Sequence, residues 1–162
     1  LTELQVRDLD LDDPLQSASF LSLLDHYACD PMGGGEALTV AVRSALPEAL
    51  SKVAGFHGAM AWHGDQAIGL INCFTGFSTF KAKPLLNVHD LVVHADWRGQ
   101  RVAAALLDWA ARRARELGCC KLTLEVLANN HMAKRCYQRA GFAPYVLDPA
   151  AGAAELMQRF ID

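Results

Sequence analysis

Apolar residues crowd one stretch without strict polar alternation: residues 85–94, LLNVHDLVVH, read as a strand buried on both faces of a sheet. A polar turn follows, and Val102, Leu106, Trp109, Ala110 and Leu117 then recur at the spacing of an amphipathic helix. This strand, turn and helix are expected to form the centre of the fold. Upstream, residues 4–9 predict a short opening strand, and Asp12-Asp13-Pro14 signals the start of a helix over 15–28. The glycines of DPMGGG at 30–35 lack a following Lys-Ser/Thr pair, so they read as a flexible connection and not a phosphate loop. Residues 36–43 and 47–53 predict two short helices, the second opened by Pro47. Strands over 56–63 and 67–74 meet at Gly64-Asp65-Gln66, a hairpin turn, and 77–84 is a loop. Past Gly118, which ends the central helix, KLTLEVL at 121–127 alternates as a strand. Asn129 or Asn130 caps a helix with Ala133, Cys136, Tyr137 and Ala140 on one face, and Gly141 closes it. Two final strands are expected at 142–147 and 155–160. Strand, helix and strand in this order require a right-handed crossover, giving a mixed sheet with helices on both faces.

The 162 residues suit one domain spanning 1–162. A net charge of −3 offers no electrostatic footprint for nucleic acid. No apolar run approaches the roughly 20 residues that span a bilayer, and LTELQVRDLDLDD lacks the features of a signal peptide. No membrane partner and a cytoplasmic location are therefore expected. Cys29, Cys73, Cys119, Cys120 and Cys136 show no CxxC spacing and read as free thiols, and the six histidines form no HExxH, so no metal site is expected.

Candidate chemistry gathers where the central strand enters its helix. The first turn of a helix carries amides without intrahelical partners and about half a positive charge, which suits a phosphate. Gly99, Ala103, Ala104 and Ala105 are small enough to let a ligand reach the backbone, while Arg98 and Arg101 add positive charge. Taken alone, these residues fit an ordinary turn with solvated arginines equally well.

Two segments together go further. RGQRVAAALL and NHMAKRCYQRAGF resemble the motifs R-G-x-G-x-G/A-x-x-L-L and N-x-x-A-x-x-x-Y-x-x-x-G-F of the GCN5-related N-acetyltransferases (GNAT). Asn130, Ala133, Tyr137, Gly141 and Phe142 complete the second motif; in the first, Arg101 stands where the family usually has glycine. The resemblance implies an α/β, single-domain GNAT-like fold: a mixed, mostly antiparallel sheet splayed between its two parallel central strands, with helices on both faces. It implies acetyl-CoA lying in that cleft, the backbone of Leu91, Val92 and Val93 pairing with the pantetheine arm. The amides of Arg98, Gly99, Gln100, Arg101, Val102, Ala103 and Ala104 would cradle the pyrophosphate, with Asn130 and Ala133 also at the cofactor site. A helical backbone does not demand glycine at position 101, so the arginine side chain is expected to swing outward or over the phosphate, with cofactor binding retained.

Acetyl transfer needs an unprotonated amine, an oxyanion donor and a proton for the departing thiolate. The resemblance assigns the acid to Tyr137, a phenol that stays protonated at neutral pH, against the alternative of a packing tyrosine. His89, Asp90 or a bound water is the candidate base; adjacent strand residues face opposite sides, so only one of the two side chains is expected to face the acceptor. The resemblance implies that the Val92 amide is the donor to the thioester carbonyl. A covalent route through Cys29, Cys73 or Cys136 is disfavoured because no histidine is tied to any of them by sequence. For the acceptor, the family's segments here offer Tyr27, Asp30, Glu36 and Phe80, with Asp25 and His26 nearby in sequence. These fit a cationic small-molecule amine such as a polyamine, an amino acid or an aminoglycoside, or else a solvated acidic surface. The expected function is acetyl-CoA-dependent N-acetylation of such an amine in a ternary complex. The alternatives are a non-catalytic acyl-CoA sensor, acetylation of a protein N-terminus or lysine, and a purely structural interaction domain. Family members frequently form homodimers, but no interface is readable here.

Overall fold

A computed structural model describes residues 3–161. One five-stranded sheet runs in chain order: β1 (Leu4–Asp8), β2 (Phe56–His63), β3 (Gln66–Ser78), β4 (Lys83–Val93) and β5 (Leu122–Leu124). Every pairing is antiparallel except β4 with β5, which is parallel and requires the crossover helix α3 (Val102–Glu116). The chain clusters into two compact units, one ending at Leu124 and one beginning at Glu125, and each is described by itself.

In the first unit, α1 (Pro14–Cys29) and α2 (Val40–Ser51) cover one face of the sheet. Phe20 and Leu23 of α1 and Leu50 of α2 pack with Met60, Trp62, Leu70 and Val92 in one buried cluster. Asp13 caps α1 by accepting the Leu15 N–H at 2.9 Å, with Pro14 at the first helical position as the sequence suggested. On the opposite face, Gly69 of β3 lets α3 approach closely: a Cβ there would lie 2.9 Å from Val102 Cγ1 and 3.1 Å from the Val92 carbonyl oxygen. Trp109 Nε1 donates to Asp8 at 2.8 Å, and Arg113 pairs with the same carboxylate, tying α3 to the edge strand β1.

Four expectations are corrected. Residues 36–43 and 47–53 are not two helices: α2 is continuous from a Thr39 cap, with Pro47 inside it. The proline removes one intrahelical bond, a cost that the packing of Leu50 into the core outweighs. The glycines at 33–35 are not a loose connection, because Pro31–Gly33 form a 3₁₀ turn and the Gly35 N–H returns to the Asp30 carbonyl at 3.1 Å. The loop at 77–84 is shorter than expected: β3 runs to Ser78, β4 starts at Lys83, and only 79–82 turn. At the other end, β5 is paired only over Leu122–Leu124 of the seven-residue strand expected.

The second unit contains α4 (His131–Arg139), capped by Asn130, whose Oδ1 accepts the Ala133 N–H at 3.2 Å. Strands were expected at 142–147 and 155–160, but none forms there among the described residues. Pro144 supplies no ladder donor, and a short 3₁₀ turn, Pro149–Ala151, separates the two stretches. Just before the second stretch, the Ala154 N–H donates to the Tyr145 carbonyl at 3.1 Å. No described helix is long and apolar enough to cross a membrane.

Because α3 is seated through Gly69, Gly69→Ala is expected to destabilise the fold by about 1–3 kcal/mol through overpacking, read as a lower urea midpoint with an unchanged slope.

Candidate active site

The site is built on β4. Its register against β3 shifts by one residue: Asn72 faces Asp90 while the next residue, Cys73, faces Val88, so His89 is an extra residue, a β-bulge. The bulge corrects the expectation that His89 and Asp90 face opposite sides. Asp90 Oδ2 accepts the Asn72 Nδ2 N–H at 3.0 Å, and the His89 ring lies edge-on to Phe74 at 5.3 Å. Asn72 and Phe74 alternate with Leu70 of the α1 cluster and so share its face. Both candidate bases thus lie on the α1 side. Tyr27 of α1 is near enough for Asp90 to act on it: burial, then the charges of Asp90 and Asp30, push its phenol above the usual range, so it stays a protonated donor.

Pairing between β4 and β5 ends at Val88 and Leu124, while β4 runs on to Val93. Beyond Val88 no described strand pairs with that edge. Antiparallel ladders send alternate residues' N–H and C=O to one neighbour. His94 N–H donates to the Ile68 carbonyl on the β3 side at 2.9 Å, and Val92 pairs with Leu70 on the same alternation. The Val92 amide therefore serves β3, and the expected donor role at Val92 is corrected: Leu91 and the Val93 N–H face the edge away from β3, while the Val93 carbonyl accepts from Arg98.

The strand leads through a 3₁₀ turn, Ala95–Trp97, into α3. α1 holds this turn at two points. Ala95 N–H donates to His26 Nε2 at 3.3 Å, with the His26 and His94 rings stacked at 4.6 Å, and Arg98 Nη2 pairs with Asp30 Oδ2 at 3.0 Å. Arg98 Nε also donates to the Val93 carbonyl at 3.4 Å, so this arginine braces the loop instead of standing as a loose positive charge. Gly99 has φ +78° and Arg101 φ +65°. Arg101 is the N-cap of α3, in the left-handed region, and its side chain makes no capping hydrogen bond. The expectation of a helical backbone at 101 is thus corrected: this is the conformation that favours glycine. The first-turn amides of Val102, Ala103 and Ala104 have no intrahelical partner and no side-chain cap from Arg101. An uncapped helix start flanked by Gly99 and two alanines, continuous with an open strand edge, fits a diphosphate carried on an extended arm.

The remaining candidates divide by position. Both oxygens of Asp30 are engaged, one by the Met32 N–H and one by Arg98, and the Met32 bond first, then Arg98, holds its carboxyl below the usual range. Asp25 is similarly occupied, pairing with Arg43 at 3.0 Å and accepting the Leu38 N–H at 2.8 Å. Glu36 is exposed, its N–H bonded to the Ala28 carbonyl at 3.1 Å. Phe80 is 90% exposed at the β3–β4 turn, and the strand rise of about 3.3 Å per residue puts that turn roughly 20 Å along β4 from Asp90. The structure therefore brings Tyr27 and Asp90 together and leaves Phe80 apart. In the second unit, Tyr137 is half-buried on α4 with its ring edge-on to Phe142 at 6.0 Å, and Asn130 and Ala133 form the helix cap. Asn72 was missed, although a lone amide within the apolar run IGLINCF is its sequence signal. Burial, with Asp90 nearby, pushes the Cys73 thiol to about 12, and burial also raises Cys136, so neither is a ready thiolate.

The sequence matches the acetyltransferase (GNAT) family over residues 21–142. The chain belongs to this family. It is 29% identical over 86 residues to an aminoalkylphosphonate N-acetyltransferase of Salmonella typhimurium (strain LT2), a match spanning 53% of this chain and only 56% of that protein. The GNAT fold recurs in a ribosomal-protein-alanine N-acetyltransferase from Brucella melitensis biovar Abortus 2308, with a TM-score of 0.73 and 22% identity over 98% of this chain and all of that one. It recurs again in an aminoglycoside acetyltransferase from an uncultured soil metagenomic sample, solved with sisomicin, with a TM-score of 0.76 and 14% identity over 98% and 95% of the two chains.

For a GNAT chain with arginine at the left-handed position, Arg101→Gly is expected to stabilise the fold by about 1 kcal/mol in urea unfolding and to leave CoA binding in place. Calorimetry across a salt series decides the side chain's part: an unchanged affinity and salt slope would mean that Arg101 makes no phosphate contact. Cys73 is expected to resist iodoacetamide at pH 8 until the protein is unfolded, as counted by mass spectrometry.

Proposed function

We propose that this chain is an acetyl-CoA-dependent N-acetyltransferase acting on a primary amine of a small molecule by direct attack in a ternary complex. The observation that carries the reading is the continuity of three features: the open β4 edge at Leu91 and Val93, the uncapped start of α3, and the adjacent carboxylate of Asp90. When bound, acetyl-CoA would supply the acetyl group as a thioester. The backbone of Leu91 and Val93 holds the pantetheine arm as a strand would, and the Leu91 N–H is the donor toward the thioester carbonyl. The amides of Gly99 to Ala104 hold the pyrophosphate. Asp90 takes the proton of the incoming ammonium on Oδ1, its Oδ2 being held by Asn72, and His89 on the same face passes the proton to solvent. Tyr137, placed in this role by the family motif, gives its phenolic proton to the departing sulfur. The nitrogen–carbon bond forms as the carbon–sulfur bond breaks, and the second proton lost by the nitrogen returns to the Tyr137 phenolate, so that one proton in total is released to solvent. Tyr27, kept protonated, lines the acceptor side.

The acceptor class follows from charge. With Asp25 and Asp30 already paired to arginines, Asp90 and the exposed Glu36 remain to meet a cation, and Asp90, set beside the open β4 edge, suits one ammonium group on a small molecule. The Salmonella and soil-sample relatives are named for amine-bearing small molecules of this kind.

The test is thiol release from acetyl-CoA across a panel of aminoalkylphosphonates, polyamines, amino acids and aminoglycosides. Turnover is expected with at least one member, and double-reciprocal plots are expected to intersect; parallel lines would replace direct transfer with an acetyl-enzyme. Tyr137→Phe is expected to lower kcat about 100-fold with CoA affinity unchanged. CoA binding with no turnover on any amine would instead indicate a sensor.

A further inference from the structure

Asn72 is 3% exposed and is the only buried polar or charged residue among those described. It stands in β3 between Ile71 and Cys73, both fully buried, where burial alone favours a hydrocarbon side chain. Its Nδ2 donates to Asp90 Oδ2 at 3.0 Å, and its Oδ1 is buried with no donor. Leaving that oxygen unmatched costs stability, so what the amide contributes lies in the bond it does make. The bulge at His89 creates this pairing, since it sets Asp90 opposite Asn72 and turns both bulge side chains to the α1 face.

We infer that Asn72 is a positioning residue that fixes the rotamer of the Asp90 carboxylate, so that one oxygen is anchored in the sheet and the other faces the acceptor amine. The inference rests on the assignment of Asp90 as base. A carboxylate side chain turns freely about χ1 unless a partner holds it, and a charge-assisted N–H bond from the buried amide registered opposite it supplies that hold. The other groups near Asp90 cannot replace it. Tyr27 and Cys73 feel its charge without a hydrogen bond to it, and His89, on β4 itself, is turned to Phe74.

Two measurements test the inference, and only one of them needs turnover. In the ligand-free protein, side-chain three-bond couplings of Asp90 are expected to report one χ1 rotamer in the wild type and rotamer averaging in Asn72→Leu. Asn72→Ala, which empties the site instead of refilling it, guards against a leucine variant that fails to fold. A single retained rotamer in the folded variants would overturn the inference. In steady-state kinetics, Asn72→Leu and Asn72→Ala are expected to lower kcat about tenfold with CoA affinity unchanged, and to have no further effect in an Asp90→Asn background. An equal fall in both backgrounds would mark Asn72 as merely structural and overturn the inference. If the wild type acetylates no amine, the function reading fails, while the couplings still decide the role of Asn72.

Discussion

β4 is matched along its length on one side and for only three residues on the other. Peptide groups removed from water must be partnered, and a strand that outruns its neighbour leaves N–H and C=O groups for something else to satisfy. The same demand reappears a few residues later at the uncapped start of α3. The rest of the first unit keeps these two sets of groups in line. The long β3 ladder holds β4 in register on both sides of its bulge, Gly69 lets α3 settle against the sheet, and the Phe20, Leu23 and Leu50 cluster fixes α1 over the other face. In the function proposed above, a thioester carrier with an extended arm and a diphosphate meets both demands in sequence.

Charge in the site is more economical than its composition suggests. Counted along the chain, Asp25, Asp30, Glu36 and Asp90 look like an acidic patch. In the fold, Asp25 pairs with Arg43 and Asp30 with Arg98, and both also hold backbone amides. Those two carboxylates shape the segment after α1. Asp90 differs because its hydrogen bond goes to a neutral buried amide, which orients its charge without cancelling it.

Where periodicity and burial agree locally, as in β2, α1 and α3, the elements were legible from the chain alone, and the glycine, alanine and motif pattern pointed to the correct helix start. Features that depend on a partner were not. A bulge is a property of two registered strands, so nothing in LLNVHDLVVH taken singly shows that His89 is the extra residue or that Val92 turns its amide to β3. A strand exists only if something pairs with it, and 142–147 and 155–160 have strand composition without a ladder. Pro47 looked like a helix start because proline is common there, whereas the Thr39 cap and the buried Leu50 carry the helix through it. Arg101 is the instructive case: the chain carries arginine where the motif it resembles has glycine, and the arginine adopts a left-handed conformation in spite of its Cβ.

The contacts between the end of α1 and the turn before α3 have one more consequence. Through His26 stacked on His94 and Asp30 bonded to Arg98, the α1 wall and the segment 99–104 are stitched into one mechanical piece. A guest that tightens either rim also tightens the other, and thermodynamic reciprocity makes the benefit equal in both directions. Under the proposed reading, donor and acceptor are not independent tenants: the seating of the first prepares the place of the second.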